Sequence, residues 1–331
     1  MYALIRKRPR DVPVSGGEDL NVYLKLMRVD QYLKNIIVLL PLLFSGELMA
    51  EGKLLPTLLG VAMFCLISSA VYVMNDIADA KSDAANPAKA HRPLASGVIS
   101  KRNAFILLAF LVAIPIAVSF IFLPLLSGIL ITFYFVINIS YSLGLKNVVG
   151  VDVAFIAAGF VIRALYGTAI ADVIISMWFY FLIGSLTTFT TLGKRINERR
   201  RMDKTGICVR KVLEKCSERT ISISLYFSLI FMNFFYVIWI GDLIELNLCA
   251  TNPLWTIPIM ILFSWKCFVI IENNETNEDP FPLFVRDGIW LATLFTLIGS
   301  IVITIYIDVP IINGELPVLP QISNLIRVAF L

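Results

Sequence analysis

The sequence predicts an all-α membrane protein with nine transmembrane helices. Of its 331 residues, 58% are hydrophobic and 16% are charged, and the mean hydropathy is +0.82, which is far too apolar for a soluble domain of this length. Nine apolar runs follow one another, most of them near the roughly 20 residues that cross a bilayer core. Basic residues gather in alternate loops, which is typical of the cytoplasmic side of a membrane protein.

Residues 1–35 are expected to form a basic tail followed by an amphipathic helix. The first residues carry several cations and prolines and no early apolar stretch, which predicts a disordered cytoplasmic tail that touches anionic lipid rather than a signal peptide. From Glu18 to Asn35, apolar and charged residues alternate at helical spacing, which is typical of a helix lying in the membrane interface.

The predicted transmembrane catalytic domain covers residues 36–307. Its apolar runs are residues 36–50, 54–75, 104–122, 125–143, 149–171, 174–193, 221–241, 252–271 and 288–307. The first run is short and contains Pro41, so a kinked or partly re-entrant path is expected there. An odd number of helices leaves residues 308–331 as an extracytoplasmic tail.

The distribution of charge fixes the predicted orientation. The N-terminal 34 residues and the loops 76–103, 144–148, 194–220 and 272–287 hold all but four of the 28 lysines and arginines; the exceptions are Lys53, Arg163, Lys266 and Arg327. This positive-inside pattern predicts an integral membrane protein whose N-terminus and candidate active-site loops face the cytoplasm. A transporter or lipid flippase remains an alternative, although no internal repeat supports it.

The most informative stretch runs from Asn75 to Asp83, where the second apolar run reaches the cytoplasm. If its helix continues, Asp76, Asp79 and Asp83 share one face at i, i+3 and i+7, with Asn75 stacked over Asp79. Three like charges repel unless a cation lies among them, and oxygen ligands suit Mg²⁺, which bridges to substrate phosphates. We therefore predict the three aspartates to be catalytic and, with Asn75, to bind Mg²⁺; a solvated acidic helix end is the alternative.

The loop that follows supplies two candidate phosphate ligands, Lys89 and Arg92. Between them lies His91, the only histidine, which is expected on the surface. The five cysteines form no C-x-x-C pair, so a zinc site cannot be assembled from this sequence.

Asn75 to Asp83 resembles the N-D-x-x-D-x-x-x-D motif of the UbiA superfamily of intramembrane prenyltransferases. Asn86 to Gly97 is similar to the N-P-x-K-x-x-R-P-[LI]-A-x-G pattern of one branch, the decaprenyl-phosphate phosphoribosyltransferases. Two further strings resemble the same branch: Gln31 to Asn35, which contains Lys34, and the G-K-R-x-x-E string that begins at Gly193.

Departures from the prenyl-diphosphate-using members point to the same branch. Those members carry a second acidic motif, D-x-x-x-D, where this chain has Lys194 and Arg195, two cations suited to an additional phosphate. A stop-transfer cluster is the alternative for these cations. The tyrosine-lysine loop also differs, because Tyr141 and Lys146 lack the usual proline and second cation; both remain candidates for phosphate binding.

Two more cations complete the predicted site. Arg163 lies deep in an apolar run, where burial is costly unless it lines a polar cavity; an ion pair with Asp152 or Asp172 is the alternative. Arg286 precedes the last apolar run and is a candidate substrate ligand, although an ion pair at a helix start is equally compatible.

The resemblance implies a bundle of nine helices around a central cavity in a bacterial inner membrane. It also implies transfer of a 5-phosphoribosyl group from phosphoribosyl diphosphate to a polyprenyl phosphate such as decaprenyl phosphate. Mg²⁺ is the implied cofactor, the membrane and the two substrates are the implied partners, and no nucleic acid is expected; a homo-oligomer is left open. The alternative within the superfamily is prenylation of an aromatic or quinone precursor by a polyprenyl diphosphate.

Overall fold

The computed structural model describes residues 20–86, 89–142, 148, 150–206, 213, 216–274 and 280–307, and the described residues form helices without strands. The predicted 308–331 tail and the first 19 residues lie outside this part of the chain. In chain order the α-helices are α1 (Leu20–Met27), α2 (Leu40–Phe44), α3 (Leu54–Ala85), α4 (Lys101–Phe122), α5 (Leu125–Ser142), α6 (Val151–Ala171), α7 (Met177–Thr205), α8 (Glu218–Glu245), α9 (Thr256–Glu272), α10 (Pro280–Arg286) and α11 (Gly288–Tyr306).

Seven of the described helical segments are long and apolar enough to cross a membrane: α3, α4, α5, α6, α8, α11, and α9 with the 3₁₀ turn before it. Helix α7 is 29 residues long but is not among them, because threonines and a dense group of cations lower the hydropathy of its second half. An all-α membrane architecture is therefore confirmed, whereas the count of nine spans is not.

The first predicted run is not a regular α-helix. Val29–Leu39 forms a 3₁₀ helix that continues into the five residues of α2. A 3₁₀ helix rises about 2.0 Å per residue against 1.5 Å for an α-helix, so the two pieces together extend about 30 Å. The segment runs beside α3, where the hydroxyl oxygens of Tyr32 and Ser69 lie 2.9 Å apart and Asn35 contacts Cys65 at 3.3 Å.

Two hydrophobic cores divide the helices into two bundles. The first core, with Phe64 and Tyr166 among its largest side chains, lies among α1, the 3₁₀ helix, α3, α4, α5 and one face of α6. The second core, with Phe179 and Trp239, lies among helices α7 to α11. Helix α6 serves both, because Tyr166 belongs to the first core and Ala164 to the second.

A glycine on α6 permits the closest approach in the first bundle. A Cβ atom built at Gly167 would lie 1.9 Å from the carbonyl oxygen of Val38, a distance that no side chain can occupy. The 3₁₀ helix therefore lies directly against the α6 backbone, which fixes its position between α3 and α6.

Successive helices are antiparallel, so the ends that carry the predicted site residues meet on one side of the molecule. The hydroxyl of Ser142 at the end of α5 contacts the amide oxygen of Asn75 on α3 at 2.5 Å. Arg195 near the end of α7 donates to Asp152 at the start of α6 over 2.8 Å. The first contact joins two helices of the first bundle, and the second ties α7 of the second bundle to α6.

Candidate active site

Helix α3 extends past its apolar run to Ala85 and so carries the whole acidic motif on one helix. Asp76 is 4% exposed and Asp83 is 3% exposed, whereas Asp79 is only half-buried. The alternative of a solvated acidic helix end is wrong for Asp76 and Asp83, because both carboxylates are buried. A buried carboxylate must be paired, since an uncompensated charge in a dry environment is strongly destabilising.

Arginines from two other segments neutralise the buried pair. Nη1 of Arg92 lies 2.7 Å from Oδ2 of Asp83 and 3.3 Å from Oδ1 of Asp76, so one cationic nitrogen bridges both carboxylates. Nη2 of Arg28 donates to the same Oδ1 of Asp76 at 2.8 Å, and the ammonium of Lys89 lies 3.6 Å from Oδ1 of Asp83. The predicted proximity of Lys89 and Arg92 to the acidic motif is thus present in the structure.

Sequence reasoning missed Arg28. It follows α1 directly, has a left-handed backbone with φ 52°, and places its guanidinium 4.8 Å from the ring centre of Tyr72. A non-glycine residue adopts this conformation at a cost, so tertiary contacts must hold it there. The sequence did contain a signal for it, because Arg28 lies only three residues before Gln31, where the string compared with the family begins.

The donor atoms of this cluster suit a hard divalent cation. Two carboxylate oxygens converge on one positive nitrogen, and the amide of Asn75 lies on the same helix. Oxygen donors of this kind are the ligands that Mg²⁺ prefers. Within the described part of the chain, however, no three carboxylate, histidine or cysteine side chains are grouped to hold a metal together, because Arg92 stands between Asp76 and Asp83.

The wall between α5 and α6 contains Tyr141. Its ring stacks on Phe155 with centres 5.9 Å apart, so it belongs to the interface of these helices. The predicted phosphate ligand Lys146 lies outside the described residues.

At the end of α7, Arg195 is buried, with 4% of its surface exposed, and binds two acids. Nε donates to Asp152 at 2.8 Å and Nη1 donates to Glu198 at 2.7 Å. Its neighbour Lys194 is half-buried on the same helix. Arg195 is therefore held by protein carboxylates, whereas the sequence predicted it to face phosphate.

Arg200, one turn further, ties the ends of three helices together. Its guanidinium donates to Glu218 at the start of α8 and to Glu272 at the end of α9, both at 2.8 Å. Arg200 is therefore a cross-link between helix ends.

Arg163 lies in the first bundle among neutral partners. It donates to Asn35 at 2.9 Å, to the Gly159 carbonyl at 2.8 Å and to the Tyr134 hydroxyl at 3.0 Å. Three aromatic rings also lie within about 5 Å of its guanidinium carbon. The predicted alternative of an ion pair with Asp152 or Asp172 is wrong, because Arg163 contacts these neutral groups and Asp152 binds Arg195.

The remaining two predicted ligands lie at the rim. Lys34 is half-buried in the 3₁₀ helix, and Arg286 is exposed at the end of α10. The next residue, Asp287, accepts from Lys266 at 2.8 Å and caps α11. The hydrogen bond from Lys266 is the main reason that the pKa of Asp287 lies below its usual value.

An apolar groove of about 760 Å³ lies between α6, α7 and α8. Aliphatic and aromatic side chains line it, among them Val161, Phe181 and Phe231. It reaches Leu192, two residues before Lys194 on α7, so one end of the groove is close in sequence and along the helix to the cationic end of α7.

The profile of the UbiA prenyltransferase family matches residues 38–285, which is most of the chain. This chain belongs to the UbiA prenyltransferase family. The assignment confirms the resemblance read from the acidic motif, and it makes the protein an integral membrane transferase.

Similar proteins refine this assignment. A decaprenyl-phosphate phosphoribosyltransferase of Mycolicibacterium smegmatis is 28% identical over 86% of this UbiA-family chain and 92% of the relative. A protein of the same name from Corynebacterium glutamicum is 30% identical over 58% of each chain. The structure of a UbiA homologue from Archaeoglobus fulgidus bound to DMAPP and Mg²⁺ covers 84% of this chain and 99% of its own with a TM-score of 0.64, at 17% identity, which shows a common fold.

Proposed function

We propose that this UbiA-family protein transfers a 5-phosphoribosyl group from phosphoribosyl diphosphate to a polyprenyl phosphate, with Mg²⁺ as cofactor and pyrophosphate as leaving group. The observation that carries the proposal is the cationic end of α7: Lys194 and Arg195 stand where prenyl-diphosphate-using members have a second acidic motif. The similarity to the mycobacterial phosphoribosyltransferase along almost its whole length supports the same substrate class.

The α3 cluster is the proposed site of the donor diphosphate. Asp76 and Asp83, with Asn75 and Asp79, would hold Mg²⁺, which when bound neutralises charge on the leaving pyrophosphate. Arg28, Lys89 and Arg92 supply cations for the oxygens of the same diphosphate; the full set is Asn75, Asp76, Asp79, Asp83, Arg28, Lys89 and Arg92. As the bond between the ribose C1 and the diphosphate breaks, an oxygen of the acceptor phosphate forms the new bond to C1.

No general base is required for this transfer. The acceptor phosphate is already an anionic nucleophile, so the protein has to orient it and to stabilise the departing charge. In this proposal Lys194 contacts the 5-phosphate of the donor, and Arg195 positions α7 against α6 through Asp152.

The apolar groove beside α7 is the proposed place of the isoprenoid chain. Its lining is almost wholly apolar, and its Leu192 end approaches the cations that would meet the acceptor headgroup. An isoprenoid lying along the groove would keep its tail in contact with lipid while its phosphate reaches the site.

The deciding experiment offers purified protein in detergent with Mg²⁺ two substrate pairs. One pair is phosphoribosyl diphosphate with polyprenyl phosphate, and the other is polyprenyl diphosphate with an aromatic acid; products are identified by mass. The proposal expects a phosphoribosyl lipid from the first pair only, and none in EDTA or from Asp76→Asn or Asp83→Asn. The exposed acid Glu245, at the other end of α8, gives the matched control Glu245→Gln, which should retain activity. A prenylated aromatic acid from the second pair would reject phosphoribosyl transfer.

Orientation in a bacterial inner membrane is part of the proposal. In a variant without native cysteines, a cysteine at Lys204 should be labelled only from the cytoplasm and one at Glu51 only from outside, since both positions are exposed and lie at opposite ends of the helices. Labelling of both from the same side would overturn the proposed topology.

A further inference from the structure

The α3 cluster is already neutralised by protein cations. Two buried carboxylates, Asp76 and Asp83, face three cationic side chains, those of Arg28, Lys89 and Arg92. A divalent cation that entered this cluster alone would have to compete with guanidinium groups for the same oxygens. It would also add positive charge to a group in which protein cations already match the two carboxylates.

Arg92 bridges the two buried carboxylates. Its Nη1 lies within 2.7 Å of one carboxylate and 3.3 Å of the other, so the nitrogen occupies the position between the two acids. Its side chain is 27% exposed, and it comes from the loop after α3, so it can leave the carboxylates without unfolding a helix. Arg28 contacts the same Oδ1 of Asp76 from the junction between α1 and the 3₁₀ helix, which also lies outside a regular α-helix.

We propose that Arg28 and Arg92 are resident counter-ions of Asp76 and Asp83, and that they move from the carboxylates to the donor diphosphate when the donor binds together with a divalent metal. The proposal rests on the function proposed above. A diphosphate brings the negative charge that the released guanidinium groups need, since guanidinium binds phosphate oxygens through charge-assisted hydrogen bonds. Metal and donor should consequently bind together strongly and separately weakly.

The test measures metal binding directly. Mn²⁺ binding to the purified full chain is followed by the loss of the free-ion electron paramagnetic resonance signal, with and without phosphoribosyl diphosphate, after subtraction of the loss that the donor causes in protein-free solution. For the wild type we expect weak binding of Mn²⁺ alone and at least tenfold tighter binding with the donor. Arg92→Gln removes the bridge, so Mn²⁺ alone should bind about tenfold tighter and the donor should add less.

Two further variants test whether the effect depends on contact with the carboxylates. Arg28→Gln should have a smaller effect in the same direction, because Arg28 contacts Asp76 alone. Arg102→Gln, at an exposed position at the start of α4, is the charge-matched control and should bind Mn²⁺ as the wild type does. Unchanged affinity for Mn²⁺ alone in both Arg92→Gln and Arg28→Gln would overturn the exchange.

A measurement on the wild type keeps the test decisive if a variant does not fold. The thermal unfolding temperature should be the same in EDTA and in Mg²⁺ alone, and it should rise when Mg²⁺ and phosphoribosyl diphosphate are added together. An equal rise with Mg²⁺ alone would show that the carboxylates are free to bind metal and would reject the exchange. Failure of the wild type to bind Mn²⁺ even with the donor would instead reject the proposed function.

Discussion

Replacing Arg195 separates two roles that its position allows. The guanidinium donates to Asp152 and Glu198, and the side chains of Arg195 and Asp152 are only 5% and 4% exposed. Arg195→Gln leaves the buried carboxylate of Asp152 without its cation. Removal of one partner from a buried ion pair costs about 3 to 5 kcal/mol, so we expect a loss of stability in that range.

The assay is reversible unfolding in detergent, combined with the KM for phosphoribosyl diphosphate. The double variant Arg195→Gln with Asp152→Asn removes both charges and should recover a large part of the lost stability, because the isolated carboxylate is gone. Arg201→Gln is the control on the same helix: its side chain is exposed, and such surface substitutions change stability by at most about 1 kcal/mol. A variant as stable as the wild type, with ten- to a hundredfold weaker donor binding, would refute this reasoning and return Arg195 to the phosphate contact that the sequence predicted.

Three other substitutions test the packing of the membrane domain. Gly167→Ala should destabilise the first bundle by more than about 2 kcal/mol, because its Cβ would meet the Val38 carbonyl at 1.9 Å. Gly241→Ala has open space around it within α8 and should be neutral to slightly stabilising, because alanine favours a helix; equal effects in thermal unfolding would contradict the close contact. Asn197→Leu should raise the unfolding temperature, because both polar atoms of the buried Asn197 amide lack a hydrogen-bond partner, and an unpaired buried amide destabilises the fold by about 1 to 3 kcal/mol. A lower unfolding temperature would show that the amide is hydrogen-bonded. Arg163→Leu should lower stability by leaving buried acceptors unpaired; unchanged stability with lost donor binding would instead place substrate beside this arginine.

The long spans could be predicted closely from the sequence. The apolar runs 104–122, 125–143 and 288–307 correspond to Lys101–Phe122, Leu125–Ser142 and Gly288–Tyr306. Lipid-facing helices need apolar residues all round, and that requirement is visible in composition alone. The first run could not be predicted in the same way, because its 3₁₀ geometry depends on contact with α6 at Gly167, which no local pattern reveals.

The site could be predicted in part. The spacing of the α3 aspartates predicted that they share one helix face, because residues i, i+3 and i+7 lie on the same side of any α-helix. Ion-pair partners depend on which helices meet. Asp152 was considered as a partner of Arg163, whereas it binds Arg195, which lies 43 positions after it in the chain. Arg28 was missed for the same reason, since its contact with Asp76 spans 48 positions.

Both halves of the site obey one electrostatic rule. On α3, buried acids are held by arginines from other segments, and on α7 a buried arginine is held by acids from α6 and from its own helix. Charge inside a membrane protein is costly unless it is balanced, so these buried groups need protein partners of opposite charge. The two halves differ in how readily that balance can be undone. Arg92 is 27% exposed and comes from a loop, whereas Arg195 is 5% exposed within a long helix, so the α3 pairs are suited to exchange and the α7 pair to holding the bundles together.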